Sequence, residues 1–314
     1  IMGTGIGGLI TLEREYEVLR QRGPKAVSPL SIPMMIANVA AGHLAMCHGF
    51  EGINYGVNSA CAASAHAIGA AVHSIANGEA DAMIAGGSEA AITEFAVSGF
   101  AAMGATSPTG ISRPFDKRRD GFVLAEASAV LVLEEGEAAE RRGAPILGEV
   151  LGYGATADAF HLTAPEPDGR GAAAAMRLAL QDAEIEPQDV DYINAHGSST
   201  QLNDRTETVA IKAVFGPRAM EIPVTSTKSA IGHPLGAAGA VEAVATVHAL
   251  NSLLAPPTLG YEVPEQGLDL DYVPDGPRTI EPRRDNGHVG RAIAISNSFG
   301  FGGHNAVLAI GGAE

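Results

Sequence analysis

The chain has 314 residues, enough for two units of about 150 residues each. With 46% hydrophobic and 18% charged residues, it has the material for a large core and argues against general disorder. The formal charge is −16, and no basic cluster is richer than Lys117-Arg118-Arg119, which speaks against a nucleic-acid-binding surface.

Two cysteines cannot build a disulfide framework and point to a reducing, cytoplasmic setting. Every long apolar run carries a polar break, so no transmembrane helix is expected, and no signal peptide is visible. The glycines and prolines are scattered as punctuation rather than arranged in a repeat. The sequence opens at Ile1 directly on a Gly-rich stretch, from which a missing upstream segment is expected. Gly3-Thr4-Gly5-Ile6-Gly7-Gly8 fits the G-x-G-x-x-G dinucleotide pattern. That site also needs an acid about 20 positions later, and Arg20 to Leu30 offers none.

Short apolar runs alternate with Ala-rich stretches along the chain. Strands are expected at Asp81–Gly87, Ala127–Leu133, Val190–Asn194, Ile222–Ser226 and Ala292–Ser296. Helices are expected at Cys61–Asn77, Gly171–Ala183, Thr206–Val214 and Gly236–Leu253. Such alternation predicts an α/β architecture with helix-covered sheets. Gly143 and Pro145 stop a charged helical segment, so the halves are divided at 1–143 and 144–314. They echo each other weakly: Tyr55 to Cys61 runs from a strand into an Ala-rich helix, and Val224 to Ser229 runs through His233 into another.

Four segments carry groups capable of chemistry. Cys61 stands where a strand turns into a helix, with Asn58 and Ser59 as candidate caps and a helix dipole that would favour a thiolate. Taken alone, it reads equally as a buried structural cysteine. Cys47, in a helical stretch, reads as packing. His196 directly follows a strand, where ligands meet open α/β sheets, or it simply caps a turn. Lys228 and His233 lie among small uncharged residues. A buried lysine needs an acid, and Glu242 is the candidate; an ion pair without chemistry is the alternative. Finally, Ser296 to Asn305 contains Phe299-Gly300-Phe301-Gly302-Gly303. It reads as a loop between strands whose N–H groups could face an oxyanion, or as a plain hairpin.

Together these segments resemble the β-ketoacyl–acyl carrier protein synthases, and their elongating, type II branch in particular. The resemblance runs from Gly5-Ile6-Gly7-Gly8-Leu9 to the end and includes Ser112-Arg113-Pro114-Phe115-Asp116 and Arg119-Asp120-Gly121-Phe122-Val123. It implies a thiolase-like fold, with duplicated halves in a five-layer α-β-α-β-α sandwich, and a homodimer. It also implies on the order of a hundred residues ahead of Ile1, whose loss should expose sheet surface and impair solubility.

By resemblance, Cys61 is the acyl-accepting nucleophile, and the N–H groups of Cys61 and Phe301 form the oxyanion hole. His196 and His233 bind malonyl thioester and stabilise its enolate, with Lys228 and Glu242 in support. Phe100, Phe299 and Phe301 line or gate the acyl pocket, and Asp158 and His161 belong to a second gating loop. Lys25, Arg118 and Arg119 are candidates for docking the acidic carrier. No metal and no cofactor are implied, since acyl chains arrive on the carrier's phosphopantetheine.

Departures from the pattern are His304 and Ser198 in place of threonines, Ala26 in place of a second basic residue, and a short loop at Ser107–Gly110. Competing readings are a polyketide-type ketosynthase with the same chemistry, a silent chain-length subunit, which would lack the cysteine, and a zinc site from Cys61, His196 and His233, which lacks close-spaced ligand pairs.

Overall fold

The computed structural model describes residues 1–282 and 291–313. Its first half runs β1 (Met2–Gly3), α1 (Leu9–Arg22), α2 (Ser31–Met35), α3 (Val39–His48), β2 (Gly56–Val57), α4 (Ala63–Ala76), β3 (Ala82–Glu89), α5 (Glu94–Ala102), β4 (Ala127–Glu134) and α6 (Gly136–Arg141). The second runs β5 (Gly148–Ala157), α7 (Arg170–Asp182), β6 (Tyr192–Asn194), α8 (Gln201–Phe215), β7 (Val224–Thr225), α9 (Lys228–Ile231) and α10 (Ala238–Ser252). It continues with β8 (Leu254–Ala255), β9 (Arg278–Thr279), β10 (Ile293–Gly300) and β11 (His304–Gly312).

Two sheets organise these elements. One has the order β2-β1-β3-β4, the other β5-β11-β10-β6-β7. Read outward from β2, the first sheet pairs parallel, parallel, then antiparallel. Read outward from β7, the second pairs parallel, parallel, antiparallel, antiparallel. β2 leads into α4 and β7 leads, through α9, into α10, so the echo in the sequence is a duplication of topology.

Residue size decides the layering. In α4, Ala63, Ser64, Ala65, Ala67, Ile68, Gly69, Ala71 and Ser74 are all buried, which fits a helix covered on both sides. A Cβ on Gly239 of α10 would lie 2.8 Å from Ala65, so a glycine is required where the two central helices cross. On the far side of the five-stranded sheet, α7 buries Ala172, Ala175, Met176, Ala179 and Leu180 along one stripe. The layers are thus α7 and α8, the five-stranded sheet, α4 and α10, and the four-stranded sheet. The described residues place no helix on the outer face of that last sheet, where Val130 is 44% and Val132 71% exposed.

Several expectations change. Residues 296–300 belong to β10, not to a loop, so the turn spans only Phe301 to Gly303. The polar run Ser296-Asn297-Ser298 is buried, and of its side chains Asn297 Nδ2 donates to Glu207 while the two serine hydroxyls have no partner among the described residues. Cys47 is exposed, 3.5 Å from His43 Nε2, and does not pack in the core. Asn58 and Ser59 do not cap α4; their side chains pair with Gly5 O and His66 Nδ1.

Arg119 is not a surface cation. Its side chain is buried, donating to the carbonyls of Asp116, Thr200 and Gln201 and pairing with Glu265 and Asp204. Five guanidinium donors match these convergent acceptors, which no solvent-facing role explains. Arg119→Met, by stranding Asp204, should cost about 3–5 kcal/mol, read as a lower denaturant midpoint at unchanged slope.

Candidate active site

The elbow after β2 sets the first group. Ala60 takes a left-handed conformation at φ 50°, and α4 begins two residues after Cys61. Gly300 at the end of β10 abuts this turn: a Cβ there would lie 3.1 Å from Cys61 N and 2.9 Å from Ser59 O. The close approach places the N–H groups of both Phe301 and Cys61 against the Cys61 thiol. Burial pushes that thiol up to about 11, while Lys228 and the two N–H groups pull the other way and the Glu89 charge adds to the rise. The expected thiolate is therefore not the resting state, because the apolar surroundings outweigh the helix end.

The second group follows β6. Glu207, on α8, accepts from the backbone N–H of His196 and Gly197, each at 2.8 Å, and from Asn297 Nδ2 at 3.0 Å. These bonds hold the strand end beneath the histidine. Lys228 Nζ lies 3.2 Å from His196 Nδ1, donates to His196 O at 2.7 Å, and pairs with the Glu242 carboxylate. An ammonium has only donors, so His196 Nδ1 is its acceptor and the imidazole proton is assigned to Nε2. Lys228 and Glu242 are each 1% exposed, so this is a buried ion pair joined to a histidine rather than an isolated one.

His233 belongs to the same half as His196 but is held in place by a segment of the other. Its N–H donates to Val123 O at 2.7 Å and its carbonyl accepts from Ala125 N at 3.1 Å. Its ring stands edge-on to His196, with centroids 5.3 Å apart, and edge-on to Phe122 at 5.2 Å. Burial and the Lys228 cation hold both histidines well below their ordinary value of 6.5, so both are neutral.

Cys61, His196 and His233 all face one cavity of about 490 Å³. Phe100, Phe122, Phe299 and Phe301 supply its aromatic walls, and Ile6 and Leu235 add aliphatic ones. Phe100 meets Phe122 edge-on at 5.4 Å. Two loops are latched at the mouth: Asp158 N donates to Gly303 O at 2.9 Å, its carboxylate accepts from Asn305 at 2.7 Å, and Gly302 N donates to Leu162 O at 2.7 Å. Asp158 lines the cavity but His161 does not; its Nδ1 accepts from Thr163 N and Ala164 N and closes its own turn. Lys25 is exposed in the turn after α1, and Arg118 is held by Asp116 and Glu262 at 2.9 Å each. Among the described residues, no group of three or more His, Cys, Asp or Glu is placed to hold a metal ion, nor is any helix long and apolar enough to cross a membrane.

A buried thiol, two neutral histidines and converging backbone N–H groups at one cavity invite comparison with known proteins. Residues 1–139 match the model of the beta-ketoacyl synthase N-terminal domain, and residues 147–262 match that of its C-terminal domain. The chain belongs to the β-ketoacyl synthase family. It is 51% identical to a 3-oxoacyl-[acyl-carrier-protein] synthase 2 of Synechocystis sp., over 98% of this chain and 73% of that protein. The corresponding protein of Coxiella burnetii is 46% identical over 98% of this chain and 74% of its own length. Among solved structures, a type II polyketide acyl-carrier protein in complex with its ketosynthase gives a TM-score of 0.91 at 34% identity, covering 98% of this chain and 76% of that one. A β-ketoacyl synthase from Burkholderia phymatum gives 0.89 at 34%, covering 100% and 74%.

Within this synthase, three residues at or beneath the site escaped the sequence reading. Glu207 and Asp204 lie three apart on the buried stripe of α8 with Ala210 and Ile211, and an acid pair on an apolar face was the available signal. Phe122 had no such signal, since a loop phenylalanine packs in many ways.

The two histidines also make the synthase acid-sensitive. Their folded pKa values lie below the unfolded one, so the unfolded chain binds more protons below pH 6.5. Their contribution to stability should therefore fall as pH drops below about 6.5, by up to about 1.4 kcal/mol per histidine per pH unit, offset in part by Glu242, whose carboxyl is pushed up to about 7 by burial. Denaturant midpoints between pH 7 and 5 would check this, and a midpoint that rises on acidification contradicts it.

Proposed function

We propose that the synthase performs a decarboxylating Claisen condensation on carrier-bound thioesters. The observation that carries this is the shared cavity of a nucleophilic thiol, two neutral imidazoles and two backbone N–H groups at the sulfur. Cys61 attacks an acyl-carrier thioester. The thiol proton ends on the released carrier sulfur, and the acyl group ends on Cys61. Malonyl-carrier then loses carbon dioxide, and the electrons of that bond form an enolate. The Nε2–H of His196 and the ring of His233 receive the enolate oxygen as neutral donors, which favours charge that develops only in the transition state. The enolate carbon attacks the acyl-Cys61 carbonyl, whose oxygen is held by the N–H groups of Cys61 and Phe301. Collapse releases the Cys61 thiolate and a 3-oxoacyl-carrier two carbons longer. With a thiol pushed up to about 11, the thiolate takes up one proton before the next cycle.

The identity to fatty-acid-type relatives supports fatty acid elongation as the pathway, in a cytoplasmic setting and without a cofactor beyond the carrier's phosphopantetheine. Acyl carrier protein is the partner this reading requires. A homodimer is supported by the open edge at β2, flanked by exposed Ile32, Met34, Met46, Phe50 and Tyr55. Light scattering should return twice the 32.0 kDa chain mass; a monomer at micromolar concentration would remove the dimer. Mass spectrometry after incubation with an acyl-carrier thioester tests the chemistry, and an adduct confined to the Cys61 peptide is expected. The polyketide alternative is favoured by the neighbours with carrier and chain-length partners. Preference for poly-β-keto over saturated chains in the same assay would select it.

A further inference from the structure

Glu89 closes β3 and is 4% exposed, yet no step above uses it. Its carboxylate collects four donors from two distant segments. Oε1 accepts from Thr4 Oγ1 at 2.9 Å and Ile6 N at 3.2 Å. Oε2 accepts from Gly5 N at 2.5 Å and Gly236 N at 3.0 Å. The first segment ends in Ile6, which walls the cavity; the second begins three residues after His233. The backbones also touch directly, since a Cβ on Gly236 would lie 2.0 Å from Gly5 N. A loop of glycine N–H groups around a buried anion is the arrangement that holds a phosphate elsewhere, but here the protein supplies its own carboxylate.

We infer that Glu89 is a positioning residue: its carboxylate clamps the Gly5–Ile6 wall of one half to the His233-bearing segment of the other, and so sets the spacing of the catalytic groups. The catalytic part of this inference rests on the condensing reading above. Glutamine is close in shape but keeps only one acceptor oxygen. Whichever way its amide turns, the NH₂ faces two donors, and at least one of them is a backbone N–H that cannot reverse.

Two readouts on the full chain test the clamp. In Glu89→Gln, amide exchange of peptides covering residues 1–8 and 232–240 should rise together by about tenfold or more, with β10 and β11 unchanged. Malonyl-carrier decarboxylation should lose roughly 10- to 100-fold in kcat at nearly unchanged KM. Exchange that rises in one segment only or in neither, or an unchanged kcat, overturns the inference. If Glu89→Gln does not fold, Thr4→Val removes a single donor from the first segment. Faster exchange at 232–240 then supports the clamp, and none overturns it. A wild-type chain that forms no Cys61 adduct would overturn the condensing reading instead, while the exchange experiment still decides the clamp.

Discussion

Cys61→Ala is expected to abolish the acyl adduct and cut condensation by at least about 10⁴-fold while leaving malonyl decarboxylation measurable. The split follows from the geometry. The acyl group needs a covalent acceptor, and no other thiol lies at the cavity, since Cys47 is exposed on α3. The enolate needs His196 and His233, which are held by Glu207, Lys228 and the 123–125 segment and not by Cys61. The exchange removes one buried sulfur, a weak acceptor whose two backbone N–H partners line the cavity, and breaks no side-chain pair, so stability should change by about 1 kcal/mol or less. Measuring the two half-reactions separately checks this. Retained condensation would sink the proposed nucleophile, and equal loss of both would mean that the thiol also shapes the decarboxylation site.

Lys228→Met should remove about 3–5 kcal/mol of stability and lower decarboxylation roughly 100-fold, for two separable reasons. The stability loss comes from Glu242, a carboxylate 1% exposed whose Oε2 already has no partner and whose Oε1 would lose its ammonium. The activity loss comes from His196, whose Nδ1 would lose the donor that keeps its proton on Nε2. Adding Glu242→Gln should restore much of the stability, because the stranded charge is gone, and none of the rate. Denaturant midpoints and decarboxylation rates of the single and double variants form the test. A double variant that regains rate would show that Lys228 acts only by neutralising Glu242. Since Lys228 also pulls the Cys61 thiol down, its loss should push thiol alkylation to still higher pH.

Much of this site was legible because its chemistry sits at punctuation. Cys61, His196 and His233 each lie where an element ends, and the apolar runs and alanine stretches around them mark those ends. The helix at Cys61–Asn77 differs from α4 by two residues at its start and one at its end. The region 296–305 misled for the opposite reason. Its polar and glycine residues resemble a loop, but Asn297 and Ser298 are buried in β10, and Asn297 is bound by Glu207. A pattern of hydrophobicity does not reveal a strand that carries polar side chains into the interior. Arg119 failed in the same way: its charge suggested surface, while acceptors at residues 200, 201, 204 and 265, with the nearby Asp116 carbonyl, make a buried site for it.

The amino-acid sequence on its own determined the α/β alternation, the duplicated halves and the family, and it singled out the thiol, the two histidines and the lysine with its acid that the fold brings together, because each is a local pattern or a residue type at an element's end. Tertiary structure alone decided the state of those groups. The resting thiol is neutral because burial outweighs the helix end. The imidazole proton sits on Nε2 because Lys228, folded in from 32 positions away, occupies the other nitrogen. His233 reaches His196 because Val123 and Ala125 of the other half hold its backbone. Such states depend on dielectric and on partners far apart in the chain, and neither is written in neighbouring residues.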